Sequence, residues 1–137
     1  MSVLVSKRYI AKTEFLKNLT ILQKYILRWC IKQSPKYKSF GVQALYDYIE
    51  SARKFACLGN NIYVKCVKSD NDKTSLNNRI QYFKKSKYYL TMLNYHIPTI
   101  LDVYNLSIQK ACKWSEIINK TQALLDGVIK SDKKKLL

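Results

Sequence analysis

Only three glycines and two prolines punctuate the 137 residues of this chain. Sandwiches and barrels reverse direction often, and tight turns draw heavily on those two residue types. A chain so poor in them has few places to turn, which points to a small number of long helices. Apolar residues make up 47% of the sequence, enough for one domain with its own core and too many for a disordered tail.

The apolar spacing marks four such helices. In the first, Phe15, Leu19, Leu22, Ile26 and Trp29 recur at steps of four and three, the stripe of a helix packed in a bundle. It stops at Gln33-Ser34-Pro35, since proline restricts the residue before it. The second carries Val42, Leu45, Ile49, Ala52 and Ala56, with Phe55, Leu58 and Ile62 widening the face; its small alanines imply a close helix approach. The polar stretch KCVKSDNDKTS reads as a loop, with Thr74 or Ser75 capping the third helix. That helix buries Leu76, Ile80, Phe83, Leu90, Leu93 and Ile97, and Pro98 is expected to kink or end it. The fourth begins at a Ser107 cap and buries Ile108, Ala111, Trp114, Ile118, Thr121, Leu125 and Val128, with Gly127 read as permitting a close contact. The expected fold is all-α, an antiparallel up-down-up-down four-helix bundle, with no internal repeat. Residues 1–137 form one domain, in which about 1–11 are read as a flexible arm and 132–137 as a flexible basic tail.

Charge narrows the function. Twenty-five Lys+Arg stand against nine Asp+Glu, a formal net charge of +16. Self-repulsion of that size works against compactness, so polyanionic partners are expected, nucleic acid first and an anionic membrane surface second. The four cysteines form no CxxC pair and have no zinc-ligand spacing with a histidine, which reads as reduced thiols in the cytoplasm. The opening MSVLVSKRYIAK is too short in apolar run for a signal peptide, and no segment reaches ~18 uncharged apolar residues. His96 is the only histidine, and no nucleophile, P-loop, GxGxxG or Glu-x-x-His pattern accompanies it. The chain is expected to be no enzyme and to need no metal or cofactor.

What remains distinctive is the segment NRIQYFKKSKYYLTMLNYHI, residues 78–97. Arg79, Lys84, Lys85 and Lys87 interleave with tyrosines, and no acid occurs between Asp72 and Asp102. On a helical projection Lys84, Lys85, Tyr88, Met92 and Tyr95 face away from the core stripe. A solvated helix face ordinarily mixes both signs of charge. Lysines supply salt-sensitive attraction to phosphates, and tyrosines stack on unpaired bases at ~1–3 kcal/mol each. Structured or single-stranded RNA is therefore the favoured ligand. The candidate phosphate contacts are Arg79, Lys84, Lys85 and Lys87, followed by Lys36, Lys38, Lys130, Lys133, Lys134 and Lys135. Tyr88, Met92 and Tyr95 are also more apolar than a lone bundle requires, so they either stack on bases or close a subunit joint.

Two further stretches carry a family resemblance. Leu125-Asp126-Gly127-Val128-Ile129-Lys130-Ser131 is similar to an "L-G-G-W-I-K-S"-like run, keeping the leucine, one glycine, the isoleucine, the lysine and the serine. Pro35-Lys36-Tyr37-Lys38-Ser39-Phe40 is similar to a "P-K-x-x-R-F" loop, with Ser39 in place of arginine. Leu93 and Asp102 match an "L-R-x-x-L-R-x-x-x-D-L" pattern in the third helix, with Pro98 at its second arginine. Over roughly residues 20–131 the chain resembles the accessory variability determinant (Avd) proteins of diversity-generating retroelements. They fall in a wider four-helix group that includes the protein encoded in intervening sequences of 23S ribosomal RNA genes.

The resemblance implies a pentameric, barrel-shaped assembly of basic four-helix protomers without catalytic activity. It implies binding to the element's reverse transcriptase and template RNA or cDNA in support of mutagenic retrohoming. Two alternatives stay open: a ribosomal-RNA-associated intervening-sequence protein, and a basic oligomeric scaffold that docks an acidic protein.

Overall fold

The computed structural model describes the backbone of residues 2–35 and 38–137, and the side chains of residues 14–35 and 40–137. Four α-helices and no strand occur among the described residues: α1 Ser2–Ile31, α2 Gln43–Asn60, α3 Asp70–Val103 and α4 Ile108–Lys135. A π-helical turn, Lys38–Val42, leads into α2. Each helix packs on its chain neighbour, and α4 also packs on α1, so the helices form a bundle around a shared core.

The expected stripes of α1, α2 and α3 are the buried ones. Phe15, Leu19, Leu22, Ile26 and Trp29 meet Leu45, Ile49, Leu76, Phe83, Leu90 and Leu93 in one apolar cluster. A fully buried side chain of this size contributes ~1.5–3 kcal/mol by leaving water. Phe15 and Phe83 meet edge-on at 5.5 Å, and Trp29 and Trp114 at 6.1 Å, the orientation favoured by the ring quadrupoles. Along α2, Ala52, Ala56 and Gly59 are buried at steps of four and three. Their small size lets α3 come close enough for the buried Ser86 hydroxyl to donate to the Ala52 carbonyl at 2.7 Å.

Several boundaries differ from the sequence reading. α3 starts at a Ser69 cap, not at Thr74 or Ser75: Ser69 Oγ accepts from the Asp72 amide at 3.2 Å, and Asp72 accepts from the Lys68 amide at 3.0 Å. This reciprocal pairing satisfies two exposed amides, and Asp70 and Asp72 lie at the positive end of the helix. Nor does α3 end at Pro98. That residue lies on the exposed side, while Ile97 and Ile100 on either side are buried and hold the helix in register to Val103. The Ser107 cap stands as expected, accepting from the Lys110 amide at 3.2 Å.

In α4 the stripe is Ala111, Trp114, Ile118, Thr121, Leu125, Ile129 and Asp132. Ile108 is exposed and Val128 only half-buried. At 3.6 residues per turn the stripe steps by four from Leu125, to Ile129. Gly127 makes no close contact: a Cβ there would meet nothing within 4 Å. The tight glycine is Gly59, where a Cβ would lie 2.8 Å from the Phe83 ring. Helix also covers residues 2–11, read as an arm, and runs on through Lys133, Lys134 and Lys135, read as a tail.

Candidate nucleic-acid interface

The outer face of α3 carries the residues that helical projection places there. Lys84 and Lys85 are exposed, Met92 is half-buried, and Tyr88 and Tyr95 are 58% and 74% exposed. Tyr88 and Tyr95 are seven residues apart, so they stand about 10 Å from each other along the helix. Neither Lys84 nor Lys85 has an ion-pair partner among the described residues.

A neighbouring helix extends this face. Phe55 of α2 stacks nearly parallel to Tyr89 at 5.6 Å and 3°, and on its other flank against Tyr82 at 6.2 Å and 22°. Lys85 Nζ lies 5.3 Å from the Phe55 centroid and Lys54 Nζ 5.6 Å from it. Tyr88 closes edge-on against Tyr89 at 5.3 Å. The result is a continuous run of rings with two ammonium groups held over it by cation–π attraction. The sequence period places Phe55 on the widened buried face of its helix. Nothing in the local sequence shows that the rings of the next helix arrive beside it.

Three of the proposed phosphate contacts are committed to the fold. Arg79 is not an unpaired charge: its Nε donates to Asp132 Oδ2 at 2.8 Å, and its Nη1 donates to the carbonyls of Gly59 and Ile62 at 3.2 and 2.8 Å. Its guanidinium also lies 4.8 Å from the Phe83 centroid. One planar group thus joins the end of α2, α3 and the end of α4. Lys87 pairs with Asp126 of α4. Lys135 donates to the Val64 carbonyl at 3.0 Å and lies 3.9 Å from Asp132. The acids missing from α3 itself are supplied by α4, 53 residues along the chain for Arg79 and 39 for Lys87 (126 − 87).

Lys130, Lys133 and Lys134 are exposed and border a shallow groove with Ile129, Asp126 and Leu137. Lys133 and Lys134 fall in the last turn of α4, where cations meet the negative end of the helix. Lys36 and the side chain of Lys38 lie outside the described residues. His96 is a satisfied structural residue. Its Nε2 is 2.8 Å from the Gly41 carbonyl, which can only accept, so Nε2 carries the proton. Gly41 itself has φ of +96°, a backbone state that a side chain would strain. Tyr104 donates to the adjacent Phe40 carbonyl, so α3 and the residue that follows it grip both sides of this turn.

Among the described residues no group of three or more His, Cys, Asp or Glu stands ready to hold a metal ion, and no helix is long and apolar enough to cross a membrane. No protein-family model, curated protein or solved structure matches this chain.

Proposed function

We propose that this chain is a non-catalytic, basic accessory protein of the Avd kind, which binds a reverse transcriptase and its template RNA or cDNA in a diversity-generating retroelement. The observation that carries the reading is the outer face of α3: Lys84 and Lys85 without acidic partners, beside exposed Tyr88 and Tyr95 and the Phe55 ring stack. Cations of this kind attract a phosphate backbone, and exposed rings offer unpaired bases a surface. The sequence resemblance supplies the particular partner.

In this reading the helices run up, down, up and down, and five protomers close into a ring in the cytoplasm. Trp29, near the end of α1, touches both Tyr104, just after α3, and Trp114, early in α4. Those contacts support antiparallel neighbours. The same end of the bundle exposes Ile31, Phe40, Val103 and Ile108 at 62–71%, apolar surface of the kind that subunit joints cover.

The test is a salt series of RNA affinity. Single-stranded RNA should bind the native protein with a steep fall in affinity as salt rises. The double reversal Lys84→Glu and Lys85→Glu should weaken binding and flatten the slope by about 0.7 for each phosphate no longer neutralised. Unchanged affinity and slope in that variant would exclude this face from RNA binding.

A further inference from the structure

A second site lies away from the α3 face, between the end of α1 and the start of α4. A cavity of about 230 Å³ opens there, lined by Tyr25, Trp29 and Trp114 and by Arg28, Lys32, Lys110 and Lys113. Both tryptophans of the protein contribute to it. Its floor is aromatic: Trp29 and Trp114 meet edge-on, and Tyr25 is half-buried beside them. Its rim is entirely cationic. Arg28, Lys32, Lys110 and Lys113 are all exposed, and none forms an ion pair among the described residues.

Two details show that packing alone does not explain this arrangement. Lysine stems covering tryptophan edges would account for the apolar floor, but not for four cations gathered without one acid in the lining. The first turn of α4 contains no acid and does contain Lys110, with Lys113 one turn on. That is the positive end of the helix, where a cation is unfavourable and an anion favourable. The local electrostatics therefore favour a negative charge from outside the chain. Lys113 Nζ meanwhile rests 4.8 Å from the Tyr25 centroid, holding the ring face until a stronger partner draws it off.

The size limits the occupant. The cavity falls below the roughly 300–1,000 Å³ of sites for drug-sized ligands, so it takes one flat group rather than an extended cofactor. A flat apolar body joined to an anion is the chemistry of a nucleotide. We infer that this cavity binds one unpaired nucleotide, its base against Tyr25 and the tryptophan edges and its phosphate among Arg28, Lys32, Lys110 and Lys113. The nucleotide is either free or a segment of a single strand. This goes beyond the proposed RNA-binding face and does not depend on it, since the two share no residue.

Because both tryptophans line the cavity, indole fluorescence reports on it directly. The experiment titrates the full protein at low salt with adenosine monophosphate, a short single-stranded uridine oligomer, inorganic phosphate and polyglutamate. Either nucleotide should quench saturably where inorganic phosphate at the same concentration does not. Reversing Lys110 and Lys113 to Glu should weaken the affinity by roughly tenfold or more, the scale of one charge-assisted hydrogen bond. Reversing the exposed Lys17 and Lys24, which make the same change in net charge elsewhere on α1, should leave it unaltered. Full affinity for the mononucleotide assigns the site to free nucleotides, and much tighter binding of the oligomer assigns it to a strand. Absence of quenching by both overturns the inference, as does indifference to the Lys110 and Lys113 reversals. Quenching by polyglutamate alone would make the cavity a protein-docking site instead and also overturns it. Mononucleotide quenching does not involve Lys84 or Lys85, so it can succeed where the salt series on those residues fails, and the reverse.

Discussion

Asp132 is the residue whose removal tests the bundle's construction most sharply. It is 2% exposed, and its carboxylate accepts from Arg79, whose side chain is 17% exposed. Breaking a buried ion pair from one side costs ~3–5 kcal/mol, because the remaining charge is left buried and unpaired. In Asp132→Ala the guanidinium keeps its bonds to the Gly59 and Ile62 carbonyls and partial access to water. The cost should therefore fall at the low end, about 3 kcal/mol. Arg79→Met is the harsher change. It leaves the carboxylate with only Lys135 at 3.9 Å and removes the donor from two carbonyls, so about 4 kcal/mol is expected. With a urea slope of about 1.5 kcal/mol per molar, the midpoint of Asp132→Ala falls by about 2 M. The double variant Arg79→Met with Asp132→Leu should cost less than the two single changes together, with a coupling of about 2 kcal/mol or more. Urea unfolding followed by circular dichroism measures all of these. Single-variant destabilisation below about 1 kcal/mol, or strict additivity, would show that the pair holds nothing together and return Arg79 to the pool of free cations.

Other changes probe the packing. Gly59→Ala places a methyl 2.8 Å from the fully buried Phe83 ring, which has no room to yield, and should cost about 1–3 kcal/mol in chemical denaturation. Gly127→Ala meets open space and should stabilise the protein by up to about 1 kcal/mol through helix propensity, measured the same way. Ser86→Ala removes the 2.7 Å bond to the Ala52 carbonyl and should cost about 1 kcal/mol, read from the shift in unfolding midpoint. Pro98→Ala restores an amide donor inside α3 and should raise the midpoint, by a margin of up to about 3 kcal/mol.

The stripes of α1, α2 and α3 were legible because burial follows a 3.6-residue period, and Phe15, Leu45 or Leu90 carries that signal in its own neighbourhood. The missed boundaries had signals too. Ser69 followed three residues later by Asp72 is a capping pattern, hidden because Thr74 and Ser75 offered the same chemistry closer to the first apolar residue. Pro98 misled because an exposed proline flanked by buried Ile97 and Ile100 lacks one hydrogen bond without losing its packing. The candidate site divided along similar lines. The exposed Lys84, Lys85, Tyr88 and Tyr95 follow from helical projection. The pairing of Arg79 with Asp132 and of Lys87 with Asp126 does not, since those partners meet only once α4 has docked on α3. The cavity lined by Trp29 and Trp114 is of the same kind: Arg28 and Lys32 are 78 or more residues from Lys110 (110 − 32).

A basic accessory protein that assembles and takes up RNA should declare both properties in light scattering on a size-exclusion column. The protein is freed of nucleic acid by nuclease at high salt, then run with and without added single-stranded RNA. The expected result is a mass near five times 16.1 kDa that rises when RNA is added. A monomer whose mass RNA does not change would contradict both the assembly and the RNA binding.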